Sequence, residues 1–321
     1  NFYRNAGIYV LVKNSDATVW DVRVENCTIR DVWGSGCHFG GPKSQALYNP
    51  VFAHNLIERT GCDGLIIGRC VSPVVEYNRC YDAGALGVKD TGLIAGLWGG
   101  YMHNSLFQYN EVARTRTFKG DGQAFDVDKG CTGTHIFQHN YIHGNEGGCL
   151  MVMPSAKADR VVFRYNVSVN SYQTPHPQGL RAFRLLSGGA KDYDIHNNTF
   201  YMDNGSPVSI TNNSKVEVRN NIFYIKGTEY SYPPDVSFEK NCFFGQEDVP
   251  GEMTSDPLLR RPGATRDGLY GATDYRIRPD SPCRDAGIII EGNGGTDFWG
   301  TPLYVDDPDI GAHEYIGPAA E

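Results

Sequence analysis

The sequence has no apolar run approaching the ~18 to 20 residues that a membrane-spanning helix needs, so no membrane partner is expected. It has no basic surplus either: 29 Lys and Arg face 37 Asp and Glu, for a net charge of −8. Without a basic tail or a ribbon of mixed basic and aromatic residues, a nucleic-acid partner is not expected. The same balance disfavours a polyanionic ligand unless a local basic patch overrides it. Nine cysteines, at 27, 37, 62, 70, 80, 131, 149, 242 and 283, form no CxxC pair and no zinc-like Cys/His spacing. An odd count rules out complete internal pairing, so most are expected as small core residues, with room for one or two disulfides. Helical periodicity is absent throughout. Period-2 alternation, β-branched and aromatic residues and Gly/Asn/Asp punctuation all indicate strands and turns.

What the chain does have is an internal repeat of about 20 to 32 residues. Its mark is an asparagine two residues ahead of an apolar one, preceded by alternating strand residues. The copies are VENCTI (Asn26), FAHNLI (Asn55), VEYNRC (Asn78), FQYNEV (Asn110), FQHNYI (Asn140), FRYNVS (Asn166), IHNNTF (Asn198), VRNNIF (Asn221) and FEKNCF (Asn241). Most copies carry a second short strand: GCHFG (36–40), GLIIG (64–68), GLIAG (92–96), AFDVD (124–128), GCLMVM (148–153) and AFRLL (182–186). Short strands recurring without helical crossovers predict an all-β right-handed parallel β-helix, a solenoid in which each repeat closes about one turn. Asparagine recurs at one turn because it tolerates the left-handed backbone region and its amide can bond the same amide one rung away. Sequons such as Asn166-Val-Ser therefore fall on a structural ladder rather than at glycosylation sites.

The pattern divides the chain into rungs over 1–245 and a C-terminal cap over 246–321 packed on them, one domain in all. The opening NFYRNAGIYVLVKN is already strand-like and lacks a starting methionine, which suggests a processed or truncated product. A stack must have a cap on its first rung, and none is evident there. After Cys242 the sequence turns rich in Pro, Gly and Asp. Asp256-Pro257-Leu258, then Ser281-Pro282 with Asp285 and Gly287, then Asp309-Ile310-Gly311-Ala312 with Glu314-Tyr315 resemble the C-terminal end of secreted bacterial parallel β-helix proteins. The resemblance implies a secreted, periplasmic or cell-surface location and a cap over the last open rung, with Asp285, Asp309 and Glu314 fixing loops.

The acidic stretch Gly120 to Met153, GDGQAFDVDKGCTGTHIFQHNYIHGNEGGCLMVM, is where chemistry is expected. Aligned on glycine, CDGLIIG, DTGLIAG, GDGQAFDVD and NEGGCLMVM place Asp63, Thr91, Asp121 and Glu146 in one column. Rungs stack ~4.8 Å apart, so Asp121 and Glu146 are expected as neighbours whose mutual repulsion raises one pKa. Alternation along AFDVD buries Phe125 and Val127 and turns Asp126 and Asp128 outward, with Arg184 matching Asp126 two rungs on. Glycoside cleavage needs a protonated carboxyl and a carboxylate ~5 to 5.5 Å apart for retention or ~6.5 to 9.5 Å for inversion. The residues point to Asp126 as nucleophile or base and Glu146 as general acid, with Asp121 and Asp128 in reserve. Trp98, Tyr101 and His103 in LWGGYMHN, His143, Lys129 and Arg184, and Tyr172 and His176 in a later loop, are candidate carbohydrate contacts.

DGQAFDVD followed by HNYIHGNEGG resembles the parallel β-helix glycoside hydrolases, the group with a β-xylosidase family and a fucosidase family. That implies a carbohydrate substrate and cleavage by an Asp on one rung and a Glu or Asp on a later one, with no cofactor. Two other readings stay open. A polysaccharide lyase acting on a uronate polymer would take its base from Lys119, Lys129, Arg114, Arg116, Arg181 or Arg184, with the acids holding Ca²⁺. A non-catalytic carbohydrate-binding module would need none of the acids.

Overall fold

The computed structural model describes residues 5–42, 45–87, 93–117, 120–171, 181–186, 188–204, 206–211, 214–227, 236–247, 249–304 and 306–317. Three parallel sheets run the length of a β-helix. The first holds eight strands: Ala6–Leu11, Ser35–Gly40, Leu65–Gly68, Leu97–Gly100, Phe125–Val127, Leu150–Val152, Arg181–Leu186 and Ser206–Thr211. The second and third sheets have twelve and nine strands. Among the described residues, no helix is long and apolar enough to cross a membrane.

Each strand is short because the coil turns after a few residues, and each turn stacks like on like. Phe107, Phe137 and Phe163 occupy one register position, and Phe200, Phe223 and Phe243 another. These rings fill the interior at centroid separations such as 5.0 Å for Phe107 to Phe137 and 4.8 Å for Phe223 to Phe243. Burial of such rings supplies much of the hydrophobic stabilisation of the rungs that carry them, and Leu65, Ile67 and Val75 fill a rung that has none.

The asparagine ladder is continuous from Asn55 through Asn78, Asn110, Asn140, Asn166, Asn198 and Asn221 to Asn241. Each Oδ1 in the run from Asn78 onward accepts both the backbone N–H and the amide N–H of the preceding rung's asparagine, as at Asn110 to Asn140. Two expectations need correction. Asn26 is not on the ladder: Cys27 takes that place, donating its N–H to Asn55. The left-handed backbone position is also not the ladder residue but the one before it, Asn26, His54, Tyr77, Tyr109, His139 and Tyr165 among them, with φ near +50°. A ladder amide must face inward to meet its neighbour, so the turn is made one residue earlier. Asn166 is fully buried in the ladder.

The segment GLIAG does not form the fourth strand of the first sheet. Leu97–Gly100 does, with Gly64 and Gly96 in register, because Leu97 rather than Leu93 pairs with Leu65. All nine cysteines are free, eight of them buried.

The C-terminal segment does more than close the last rung. Residues near Met253 do cover it: Met253 donates to Asn241 O, and Phe243 donates to Met253 O. From Leu259 to Ala312 the chain then runs back along the outer face of the third sheet. A second apolar core forms there, where Tyr141, Val167, Tyr201 and Ile222 meet Tyr275, Ile277 and Ile310. Asp309 fixes loops by accepting the N–H groups of Asp285 and Tyr315, and Asp297 does the same for Trp299, Thr301 and Glu314.

Candidate active site

The outer face of the first sheet carries a single register column: Tyr9, His38, Ile66, Trp98, Asp126, Met151 and Arg184. Phe125 and Val127 point inward at 0% exposure, so Asp126 points out, as alternation requires. It is nevertheless only 5% exposed. Leu93 and Ala95, ahead of the Leu97 strand, line with Trp98, Met151 and Met153 a cleft of about 230 Å³. Four carboxyl groups line this cleft: Asp63, Asp121, Asp126 and Asp128.

Their environments differ. Asp126 Oδ2 accepts a hydrogen bond from Gln123 at 3.2 Å, while its buried Oδ1 has no partner. Burial holds its pKa well above the usual carboxylate range, and the charges of Asp128, Asp121 and Asp63 push it the same way. Burial also pushes Asp63 up to about 7, against the Ala95 N–H that Oδ1 accepts at 2.9 Å. The Trp98 Nε1–H is buried without a hydrogen bond of normal geometry, yet it lies near enough to Asp63 to favour its ionised form. Asp121 is pushed up to about 6 by burial, with Arg184 pulling it down and Asp128 raising it. Asp128 is half-buried, and its Oδ1 accepts the Lys129 backbone N–H. The cleft thus gathers three carboxyl groups, Asp63, Asp121 and Asp126, whose hold on a proton is strengthened by burial.

Asp121, Asp126, Asp128 and Trp98 are brought together, and Arg184 reaches the same region, donating to Gly120 O at 3.0 Å. Glu146 is not with them. Its carboxylate accepts the Thr117 N–H at 2.7 Å and pairs with Arg116 at 3.0 Å, around the corner of the coil. The glycine alignment was out of register at Asp63 and Thr91: Ala95 pairs in line with Asp63, since Gly64 N donates to Ala95 O and Gly96 N to Gln123 O, whereas Asp121 and Glu146 keep the same spacing to the paired Phe125 and Leu150. Two residues ahead of the matched Gln123 and Gly148, Asp121 turns into the cleft while the Glu146 side chain turns away to cap the Thr117 backbone. Thr91, Lys119, Tyr172 and His176 lie outside the described residues, as does the side chain of Arg181.

His103 sits on the second sheet with its Nδ1 3.0 Å from Thr132 Oγ1, away from the cleft. His143 is buried under the C-terminal segment, with Nε2 2.9 Å from Glu111 Oε1. Arg114 pairs with Asp82 and Asp267 on that same side. Tyr101 and Lys129 line a second cavity of about 440 Å³ next to the acidic cleft, separated from it by Trp98 and Asp128. Tyr101 is no open stacking platform, because the Arg69 guanidinium lies 4.4 Å from its ring centroid. Asp63, His38 and Arg69 were missed as site residues. The recurrence of Asp-Gly at Asp63 and Asp121, and the glycines at 40, 68 and 100, were the available signals.

Among the described residues, the carboxyl groups of the cleft do not converge within reach of one cation. The group that does is Glu111, His143 and Asp267. There the Glu111 oxygens already accept Tyr81 Oη–H and Gly268 N–H, so the set is a hydrogen-bonded clasp and does not fit a metal.

The family described as the right-handed β-helix region matches residues 1–171, more than half of the chain. The chain belongs to the right-handed β-helix family. Of solved structures, this β-helix protein is similar to XylC in complex with xylose, at 12% identity and a TM-score of 0.59, over 94% of this chain and 60% of that one. It is also similar to GH136 lacto-N-biosidase from Eubacterium ramulus, native and selenomethionine forms, at 19% and 21% identity. Those two likenesses have TM-scores of 0.42 and 0.43 over 73% of this chain and 45% and 44% of the neighbour. The β-helix chain therefore spans no more than 60% of the length of any of these neighbours. No curated protein matches its sequence significantly. The likeness to XylC shows the coil, not the chemistry.

Proposed function

We propose that the protein is a glycoside hydrolase whose reaction takes place in the acidic cleft on the first sheet. The observation that carries this reading is the Asp126 carboxyl, 5% exposed, with one oxygen unpartnered and three further carboxyl groups lining the same cleft. A carboxyl whose pKa is raised by burial and by neighbouring carboxylates is what protonation of a glycosidic oxygen requires. Asp126 is accordingly the general acid, reversing the role its sequence position suggested. It gives its proton to the departing oxygen as the C1–O bond breaks and the bonding pair leaves with that oxygen.

Asp128 supplies a second carboxyl group to support positive charge at C1, and water adds its oxygen there while its proton returns to the carboxylate left on Asp126. That Asp128 and Trp98 line both cavities supports a reading in which the scissile bond lies between them, with one sugar on each side of Trp98. The likeness to XylC in complex with xylose supports a carbohydrate ligand for this coil. The resemblance of the C-terminal segment to secreted bacterial β-helix proteins supports a secreted, periplasmic or surface location, which fractionation of producing cells tests.

The test is a glycan and aryl-glycoside panel read by both reducing-end release and absorbance near 235 nm. On any cleaved substrate, Asp126→Asn should lose about 10²- to 10⁴-fold in kcat/KM with folding unchanged. A product absorbing near 235 nm would replace hydrolysis by lyase chemistry. An Asp126→Asn protein with full activity would remove Asp126 from the reaction.

A further inference from the structure

The larger cavity next to the acidic cleft has a character of its own. Its floor is a column of glycines: Gly40, paired with Leu11, and Gly68 and Gly100, paired with each other. None needs to be glycine for backbone reasons, and a Cβ at Gly100 would make only ordinary contacts, 3.4 Å to Lys129 O and 3.8 Å to the Trp98 ring. What the missing side chains provide is open space on three successive rungs. Trp98 walls one end of the trough, and Tyr9 and His38, their rings 4.8 Å apart, stand at the other.

Two cations line this trough, Arg69 and Lys129. Neither is in an ion pair with a described carboxylate, although 37 acidic residues and many cross-rung pairs are present in the chain. Arg69 is held in place: its guanidinium lies over one face of Tyr101, and Gly130, at φ +72°, packs where a Cβ would come 2.5 Å from that ring. The trough thus offers an oriented guanidinium and a lysine against one carboxyl, Asp128, at its Trp98 end, in a chain of net charge −8. A planar fork of that kind suits a bidentate oxyanion.

We propose that this trough is a subsite for an anionic sugar, its carboxylate or sulfate held by Arg69 and Lys129 and its ring against Trp98, so that the substrate is an acidic glycan. The proposal rests on reading the adjoining cleft as the site of glycan cleavage, but it concerns binding and is tested by binding. Ligand-observed NMR titrations of the whole chain with D-glucuronate, D-glucose 6-sulfate and D-glucose provide the measurement.

Glucuronate or the sulfate should bind more tightly than glucose, more weakly at high salt, and the better of the two names the anion. Arg69→Gln and Lys129→Gln should each weaken the charged probe about tenfold and leave glucose unchanged. Gly100→Val, which fills the floor without touching either cation, should weaken every probe. Glucose binding as tightly as both anions, or a charged probe indifferent to Arg69→Gln in a folded protein, would overturn the proposal. Asp126→Asn separates the two readings. If it leaves anion binding intact and activity undiminished, hydrolysis at Asp126 fails and the subsite stands. If neutral glycans are cleaved at a rate that Arg69→Gln does not change, the subsite fails and hydrolysis stands.

Discussion

Glu111 and Gly268, 157 residues apart, are joined through both carboxylate oxygens, which accept the Gly268 N–H at 2.7 and 2.9 Å. Tyr81 Oη–H and His143 Nε2 complete the set at 2.6 and 2.9 Å, and Gly268 reaches it only because φ is +95°. This clasp fixes the start of the short 3₁₀ turn Leu269–Tyr275 against the third sheet. Glu111→Gln replaces one acceptor by an NH₂ that faces donors. The variant should expose the segment after Leu259 to limited proteolysis while the rungs themselves remain protected. An unchanged digestion pattern would show that the apolar contacts alone hold the segment.

Asp63 links stability to pH. Its pKa is raised from an ordinary 3.8 to about 7, so the folded state binds its proton more tightly than the unfolded chain does. The resulting stabilisation is complete below about pH 4 and is lost as pH rises through 7. His135, His139 and His196 act in the opposite sense. Burial lowers each to about 4, so their contribution is present above pH 6.5 and is lost as pH falls toward 4. Thermal unfolding should therefore give the highest Tm between these limits, and Asp63→Asn should flatten the alkaline side of the curve.

The same residue tunes the proposed acid. The Asp63 charge is one of those raising Asp126, so removing it lowers the Asp126 pKa. In Asp63→Asn the alkaline limb of kcat/KM against pH should move to lower pH. A limb that stays in place would show that Asp126 does not set it.

Glu146 should matter little to catalysis. Its pair with Arg116 is partly solvated, the two side chains being 23% and 46% exposed, and such pairs contribute about 0 to 1 kcal/mol. Glu146→Gln should keep activity within a factor of a few and lower Tm only slightly. A loss as large as that expected for Asp126→Asn would return Glu146 to the site.

Asn140 is a structural residue. Its Oδ1 accepts two bonds from Asn110, and its Nδ2 donates to Phe107 O and Asn166 Oδ1. Asn140→Ala leaves buried donors and acceptors unmatched at ~1 to 3 kcal/mol each, for a total of about 3 to 5 kcal/mol, visible as a Tm several degrees lower.

Much of the architecture was legible because stacking makes it periodic: FQYNEV and FQHNYI read as neighbours before any coordinates exist, and Asn110 does bond Asn140. The outward side of Asp126 was legible for the same reason, since period-2 alternation follows from backbone geometry. What failed was register across unequal loops. The chain between Asp63 and Leu97 contains two glycine-flanked apolar stretches, GLIAG and GLWGG, and sequence spacing chose the wrong one. That slip put Asp63 and Thr91 in line with Asp121, while Glu146 was lost from the site for another reason, the pull of the Thr117 N–H and Arg116 on its side chain.

The order of residues determined that this protein is a coil of parallel strands, with phenylalanines and asparagines in line, because each rung repeats the same local preferences. Only the tertiary structure decided which acids share a cleft and which are taken up elsewhere. Burial and neighbouring charge at Asp126 arise from turns of different length meeting in space, and no local pattern encodes where such turns meet.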